Sequence, residues 1–165
     1  MIFETERLLI RKLNSDDLQE FHVLENNPEV LKYATGTVKN FEENSKELKY
    51  LISLYIKPKN DFWIYAIERK QGAKFIGTLA LVKDNIDDEI GYRFVEECWG
   101  KGYGYEVCEG LLYYSKQLKI KKLVAYVVLE NKASVKILER LKFKRVKYFR
   151  DKDVSLSEIK YQIIL

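Results

Sequence analysis

Three glycines alternate with larger residues in the segment WGKGYG, which joins a strand-like run to a helix-like run. Gly100, Gly102 and Gly104 are too flexible to serve the interior of either element. A glycine-rich turn at the start of a helix presents unpaired backbone N–H groups and the positive end of the helix dipole. Because this geometry binds phosphate groups, the segment predicts a phosphate site. A flexible turn without a ligand is the simpler alternative.

Two better-known phosphate loops do not fit these residues. The dinucleotide fingerprint GxGxxG requires its third glycine three positions after the second, but Gly104 comes only two positions after Gly102. The P-loop requires serine or threonine after Gly-Lys, and Gly102 stands there instead. The segment therefore predicts a phosphate loop of another kind.

The elements that must position this turn follow from hydrophobic periodicity and turn residues. Three neighbouring runs with short polar turns predict an antiparallel meander, and a strand–helix–strand crossover over residues 88–130 carries the glycines at its first turn. The order β-α-α-β-β-β-α-β-α-β-β predicts a mixed α+β sheet. The predicted strands are 7–13, 61–70, 74–84, 88–95, 122–130, 144–151 and 157–165, and the predicted helices besides the one after the glycines are 16–27, 28–35, 40–56 and 132–141.

Composition narrows the class of protein. A chain of 165 residues without repeats or a linker suits one domain spanning 1–165. The net charge of +4 fits an anionic small ligand as well as it fits nucleic acid, but no basic run is long enough for a nucleic-acid tail, because the lysines are spread along the chain. We expect no secretory signal, since charged residues interrupt the opening segment, and no membrane span. Cys98 and Cys108 have no metal or disulfide spacing, so we expect ordinary thiols in the cytoplasm, with Cys108 in the core.

The stretches EIGYRFVEECWGKGYGYE and LENKASVKILERLKF together resemble the GNAT superfamily of N-acetyltransferases, in particular the branch of ribosomal-protein and other small-amine acetyltransferases. The acyl-CoA loop of that family reads Gln/Arg-x-x-Gly-x-Gly/Ala, and Trp99 replaces its first residue here. The resemblance covers essentially the whole chain, including the opening TERLLIRKL. It implies a single α+β domain with a mixed, mostly antiparallel sheet, whose β-α-β crossover carries the acyl-CoA loop.

The resemblance also implies how acetyl-CoA binds. The strand before the loop splays from its neighbour, so that open backbone groups near Phe94 and Val95 pair with the pantetheine amides. The pyrophosphate lies on the loop N–H groups from Lys101 to Tyr105, and Asn131 hydrogen-bonds the pantetheine arm. A helix N-cap is the alternative role for Asn131, and the two roles are compatible. The expected cofactor-binding residues are Phe94, Val95, Trp99, Gly100, Lys101, Gly102, Tyr103, Gly104, Tyr105 and Asn131.

Acetyl transfer to an amine needs a base for the amine and a hydrogen-bond donor for the departing thiolate. The resemblance places Glu89 where a carboxylate reaches the amine; an exposed strand carboxylate is the alternative. Many members carry a donor tyrosine at the position of Leu138, so we expect Ser134 to donate instead. A serine that bonds its own backbone is the alternative there. No metal is expected, and His22 reads as a surface or packing residue.

The resemblance implies an N-acetyltransferase that moves acetyl from acetyl-CoA to a primary amine by direct attack in a ternary complex. A catalytically weak acyl-CoA-binding module is the alternative. An RNA-binding domain is disfavoured, because the sequence lacks the ribonucleoprotein-type aromatic motif of such domains. The acceptor, a protein N-terminus or a small-molecule amine, should meet residues 28–56 and 146–158. Those segments contain Tyr33, Tyr50, Tyr55, Glu42, Glu43 and Glu47, which form either an acceptor pocket or a solvated helix face.

A monomer or a homodimer is expected. Lys142 stands where the family has glycine.

Overall fold

The computed structural model describes residues 1–34, 36–150 and 157–165, and a single sheet runs through this part of the chain. Its strands are β1 (Phe3–Glu4), β2 (Leu8–Lys12), β3 (Phe62–Arg69), β4 (Lys74–Asp84), β5 (Asp87–Phe94), β6 (Lys122–Val128), β7 (Lys144–Arg150) and β8 (Ser157–Ile164). They lie in the order β1-β2-β3-β4-β5-β6-β8-β7, and only β5 and β6 pair in parallel among the described strands. The predicted mixed, mostly antiparallel α+β sheet is confirmed.

Five α-helices connect the strands within the described residues: α1 (Leu18–Glu25), α2 (Pro28–Leu31), α3 (Phe41–Leu54), α4 (Tyr103–Gln117) and α5 (Lys132–Arg140). Short 3₁₀ turns precede α1 at Ser15–Asp17 and α4 at Glu96–Cys98. α4 is the crossover between the parallel strands β5 and β6, as the sequence predicts. The glycine turn lies between β5 and α4, so the fold fixes it at the carboxyl end of β5.

Local sequence explains where the helices begin and which face they bury. Asn40 and Glu43 form a reciprocal capping box at the start of α3, and the buried stripe of that helix continues through Leu48 and Leu51. Cys108 is fully buried on α4, confirming its predicted place in the core. His22 contacts Asn44 through its Nδ1 atom and the Phe41 ring edge-on, which confirms a packing role.

The differences from the predicted elements lie in the first third of the chain. Phe3–Glu4 forms a short edge strand against Leu9 and Ile10 that the sequence did not predict, because two residues show no periodicity. The predicted helix 16–27 is a 3₁₀ turn followed by α1, and the helix predicted at 28–35 ends at Leu31. The predicted element order counts two helices before β3, whereas the structure has three among the described residues, one in each of the segments predicted at 16–27, 28–35 and 40–56. Residue 35 and the predicted strand position 151 lie outside the described residues.

Candidate active site

A cleft of about 1040 Å³ opens where β5 and β6 separate. The two strands pair only at Asp88 with Leu123 and at Glu89 with Val124, and beyond Glu89 they diverge. The cleft runs from this last pair to the glycine turn and the start of α5. The expected splay is therefore present, and it leaves a slot between two strands. The expected site residues that line the cleft are Glu89, Phe94, Trp99, Gly100, Gly102, Tyr103, Gly104, Tyr105, Asn131 and Ser134.

Backbone register decides which residues of β5 face the slot. The N–H of Val95 donates to the carbonyl of Ile76, 3.0 Å away, which continues the antiparallel register between β4 and β5. Since hydrogen-bonded positions alternate along an antiparallel pair, Arg93 and Val95 turn their backbone groups toward β4. Phe94 and Tyr92 turn theirs toward the slot. The expectation at Val95 is thus corrected: its N–H is occupied, and the side of the strand that faces the slot belongs to Phe94 and Tyr92.

The glycine turn presents a helix end that suits an anion. Gly102 is the N-cap residue of α4, in the left-handed region at φ +81°, and no side chain of the described residues caps the helix there. The first N–H groups of α4 are therefore available to a ligand. The carbonyl of Phe94 accepts a hydrogen bond from Nε1 of Trp99 at 2.9 Å, so the indole fastens the turn to the end of β5. These features fit the pyrophosphate of acetyl-CoA.

Gly104 serves packing in the first turn of α4. A Cβ atom at this position would lie 2.9 Å from Cδ1 of Ile137 and 3.3 Å from Cε2 of Tyr92. Glycine therefore allows α4 to approach α5 and the Tyr92 ring more closely than any larger residue would. Gly100 and Gly102 therefore serve a left-handed backbone, whereas Gly104 serves close contact.

Arg7 holds the turn from outside the cleft, a function that the sequence did not predict. Its Nη1 atom donates to the carbonyl of Lys101 at 3.0 Å, and its guanidinium lies 4.5 Å from the Tyr103 ring centroid. The Lys101 side chain is exposed and does not line the cleft. The opening TERLLIRKL contains Arg7, and the resemblance of that segment to the family was the available signal.

Glu89 lies at the closed end of the slot. It pairs with Val82 on one side and Val124 on the other, and its side chain is half-buried. Burial raises the pKa of the Glu89 carboxyl above its usual range, and the charges of Asp84 and Glu158 raise it further. Lys160 acts in the opposite direction but is a smaller influence. A carboxylate with a raised pKa inside a cleft is suited to accept a proton.

Glu158 is a second carboxylate of the cleft that the sequence did not single out. It lies on β8 opposite Val128, lines the same cleft, and has its pKa raised by burial. A lone glutamate in an alternating strand carries no spacing signal, so only the strand order reveals that Glu158 shares a cleft with Glu89.

The start of α5 forms the opposite wall. Oδ1 of Asn131 accepts a hydrogen bond from the Ser134 N–H at 3.2 Å, so Asn131 caps the helix and its amide nitrogen remains the donor for a ligand. The Ser134 hydroxyl lies 3.0 Å from the hydroxyl of Tyr92, so it contacts another side chain instead of its own backbone. Leu138 is buried in this wall, where it can donate no hydrogen bond.

Only part of the expected acceptor segment reaches the cleft. Tyr33 and Glu47 line it. Tyr55 instead donates to the carbonyl of Ile64 and accepts from the N–H of Leu13, which makes it a structural residue.

The remaining expected acceptor residues lie elsewhere. Glu42 pairs with Lys46 at the surface, Glu43 caps α3, and Tyr50 is exposed. Residues 151–156 of the expected acceptor segment lie outside the described residues.

Two further observations concern the described part of the chain. None of its helices combines the length and apolar character that crossing a membrane requires. Cys98 and Cys108 are both free and buried, as expected for structural thiols.

Comparison with known proteins agrees with this geometry. Residues 7–144 match the family model of the acetyltransferase (GNAT) domain. The chain is 28% identical over 149 residues to the uncharacterized N-acetyltransferase YoaA of Bacillus subtilis, covering 87% of this chain and 83% of YoaA. Its fold matches the ribosomal L7/L12 α-N-protein acetyltransferase RimL in complex with coenzyme A, with a TM-score of 0.83, 20% identity, and coverage of 99% and 97%.

A second solved structure has the same fold. The spermidine N-acetyltransferase of Vibrio cholerae, in complex with CoA and spermine, matches with a TM-score of 0.79 and 22% identity, over 96% of this chain and 95% of that one. The match of the family model over most of the sequence, on a sheet splayed beside a glycine turn, shows that this chain belongs to the GNAT family of acetyltransferases.

Proposed function

We propose that this protein is an acetyl-CoA-dependent N-acetyltransferase that moves an acetyl group to a primary amine by direct attack in a ternary complex. One observation carries the proposal: a single cleft joins the uncapped N-terminus of α4 to the half-buried carboxylate of Glu89. The first feature suits a pyrophosphate, and the second suits a base. Together they accommodate a nucleotide thioester at one end and an amine at the other.

The residues at the glycine turn hold the cofactor in this proposal. The N–H groups from Gly102 to Tyr105 bind the pyrophosphate at the positive end of α4. The pantetheine arm is bound by the N–H of Phe94, whose carbonyl already accepts from Trp99, by the slot-facing backbone of Tyr92 and by the amide nitrogen of Asn131. When bound, acetyl-CoA supplies an activated acetyl thioester.

Glu89 accepts the proton of the attacking amine, directly or through water. An ordinary glutamate and an alkylammonium differ by about six pKa units, which corresponds to about 8 kcal/mol for the proton transfer. The raised pKa of Glu89 narrows this gap, because burial makes the carboxylate a stronger base. Glu89 therefore fits the role better than an exposed carboxylate would.

Transfer forms a C–N bond and breaks the C–S bond, whose electron pair stays on sulfur. Ser134 lines the cleft on the wall opposite β5, where its hydroxyl can donate a hydrogen bond to the departing thiolate. Leu138 cannot do so. Ser134 is thus the proposed thiolate donor.

The acceptor is proposed to carry positive charge. Glu89 and Glu158 both line the cleft, and burial raises the pKa of each carboxyl. A cation bound nearby would stabilise the ionised form of both carboxylates. A polyamine and a protein N-terminus both meet this requirement. The two free, buried cysteines suit a reducing compartment, so we place the reaction in the cytoplasm. Whether the enzyme acts as a monomer or a homodimer stays a prediction for light scattering.

The test is a CoA-release assay with acetyl-CoA and a panel of amines: spermidine, an aminoglycoside, and peptides with free or blocked N-termini. We expect turnover with at least one cationic primary amine and none with the blocked peptide. Calorimetry should show acetyl-CoA binding, which raises the melting temperature by mass action. Binding without turnover on any amine would favour the acyl-CoA-binding module, and absence of binding would overturn both interpretations.

A further inference from the structure

Tyr92 crosses the cleft from the strand wall to the helix wall. Its hydroxyl lies 3.0 Å from the hydroxyl of Ser134, although the two residues are 42 positions apart in the sequence. Tyr92 belongs to β5, Ser134 belongs to the first turn of α5, and both line the cleft. This contact joins the two walls at the level of the proposed thiolate donor.

The Tyr92 ring is fixed by packing. Gly104 of α4 lies so close that a Cβ atom there would be 3.3 Å from Cε2 of Tyr92, and the Phe94 ring lies 5.8 Å away between centroids. A ring held on two sides keeps its hydroxyl in one place. The contact with Ser134 is therefore a feature of the folded protein instead of one rotamer among several.

The Tyr92 phenol stays protonated. Burial raises the pKa of Tyr92 well above its usual value, and the hydrogen bond with Ser134 lowers it by less. The phenol thus keeps its hydrogen at neutral pH and can donate it, and the geometry of the contact allows either hydroxyl to be the donor. When it donates to Oγ of Ser134, the hydroxyl hydrogen of the serine must point elsewhere.

We propose that Tyr92 is a positioning residue for Ser134: its hydroxyl donates to Oγ of Ser134 and directs the serine hydroxyl hydrogen into the cleft, toward the thiolate that leaves in the proposed reaction. This inference rests on the proposed function for the identity of the leaving group. Ser134, held by Tyr92, then gives the thiolate the hydrogen bond that Leu138 cannot provide.

Tyr92 does not supply the proton itself. An ordinary thiol has a pKa near 8.5 and an ordinary phenol one near 10, so transfer from phenol to thiolate is already uphill. Burial increases this difference at Tyr92. Both hydroxyls therefore keep their hydrogens, and the thiolate is stabilised by a hydrogen bond until solvent protonates it. No covalent step is assigned to either residue.

The first experiment is a double-mutant cycle on turnover. Tyr92→Phe keeps the ring against Gly104 and removes only the hydroxyl. We expect kcat to fall about tenfold, in line with a hydrogen bond of roughly 1.4 kcal/mol, with little change in the KM for acetyl-CoA. The double variant with Ser134→Ala should be no slower than Ser134→Ala alone, because Tyr92 acts through Ser134. Additive losses, or full turnover in Tyr92→Phe, would overturn the inference.

Tyr161→Phe is the matched control. Tyr161 is fully buried, and its hydroxyl bonds Glu139 and Arg145 away from the cleft. Its removal also takes one hydroxyl from a packed tyrosine, here at the cost of hydrogen bonds to the charged Glu139 and Arg145, so it should lower the melting temperature and leave kcat unchanged. A loss of kcat equal to that of Tyr92→Phe would show that the effect is general destabilisation.

The second experiment needs no turnover. The ultraviolet absorbance of the CoA thiolate, followed against pH with CoA bound, reports the pKa of the bound thiol. We expect Tyr92→Phe and Ser134→Ala each to raise that pKa relative to the wild type, and Tyr161→Phe not to. Equal pKa values in the wild type and both cleft variants would overturn the inference. A wild type that titrates as expected but acetylates no amine would instead contradict the proposed function alone.

Discussion

Arg7 and Glu106 join the N-terminal segment to the helix that begins at the glycine turn. The backbone N–H of Arg7 donates to Oε1 of Glu106 at 2.8 Å, and Nε of its guanidinium donates to Oε2 at 2.6 Å. Thr5 donates to the same carboxylate through its hydroxyl, at 2.5 Å. The same guanidinium holds the Lys101 carbonyl, so one side chain connects the residue before β2 to the turn and to α4. The pair therefore fixes the orientation of the N–H groups assigned to the pyrophosphate.

Arg7→Lys is expected to weaken acetyl-CoA binding about tenfold by calorimetry. Lysine keeps the positive charge but lacks the planar fork that reaches Glu106 and Lys101 together. Arg7→Met should weaken binding by at least as much. A Met variant that binds poorly beside a Lys variant that binds normally would show that Arg7 contributes charge alone. Lys46→Met, which breaks an exposed pair with Glu42 on α3, is the control and should bind as the wild type does.

Gly102→Ala should lower acetyl-CoA affinity more than it lowers stability. The position has φ +81°, and an added Cβ atom would lie 3.4 Å from Nη2 of Arg7. The left-handed backbone costs roughly 1–2 kcal/mol for a residue with a side chain, and the methyl group also crowds the Arg7 guanidinium that holds the turn, so the N–H groups assigned to the pyrophosphate should shift. Denaturant unfolding and calorimetry measure the two effects separately.

Gly36→Ala is the matched control for this change. Gly36 has φ +68° and no atom within 4 Å of an added Cβ, and it does not line the cleft. It should lose a similar amount of stability and retain its affinity for acetyl-CoA. Equal losses of affinity in both variants would contradict the phosphate role of the glycine turn.

Structural features that depend only on residues adjacent in the sequence, such as strand bounds and the glycine turn, were predictable. β4 matches its predicted bounds, 74–84, because a hydrophobic run between two polar turns is a local signal. The glycine turn was predictable for the same reason. Arg7, Tyr92 and Glu158 were not, since each acts through a partner on a distant element: Glu106 is 99 positions from Arg7, and Ser134 is 42 from Tyr92. Periodicity reveals which face a residue takes but not what it meets there.

Lys142→Gly should stabilise the protein by about 1 kcal/mol in denaturant unfolding, because it removes left-handed strain from a residue with a side chain. Lys142 has φ +68°, and the N–H groups of Lys142 and Phe143 bond the carbonyls of Glu139 and Leu138 in a Schellman motif after α5. The glycine that the family resemblance predicts here is thus absent while its backbone conformation is kept. Turnover should not change. An unchanged or lower midpoint would show that the Lys142 side chain compensates for the strain.

Glu89→Gln should lower kcat by about 100-fold or more, as expected for loss of a general base, with little change in acetyl-CoA affinity. The same variant should melt at a higher temperature than the wild type at neutral pH. A raised pKa in the folded state means that folding favours the protonated form, so stability falls as the pH rises from the unfolded pKa of Glu89 to its folded pKa, and the full cost of the ionised carboxylate remains above the folded pKa. Glutamine avoids that cost, and the advantage should disappear below about pH 4, where glutamate is protonated in both states. Lower stability with unchanged turnover would identify Glu89 as a structural residue.

Glu158→Gln should move the acid limb of the kcat/KM–pH profile to lower pH. The base must be ionised to act, so activity falls as the pH drops through the pKa of Glu89 in the free enzyme. The charge of Glu158 raises that pKa and Lys160 lowers it. Removing Glu158 therefore lets Glu89 stay ionised at lower pH, whereas Lys160→Gln should move the limb upward.

General destabilisation would move the acid limb of Glu158→Gln and that of Lys160→Gln in the same direction. Opposite shifts from these two substitutions on one strand would therefore point to the charge acting on Glu89. Glu42→Gln makes the same charge change as Glu158→Gln on the exposed face of α3, so it should leave the limb in place. A limb that stays fixed in both β8 variants would show that Glu89 is not the group whose ionisation limits the reaction.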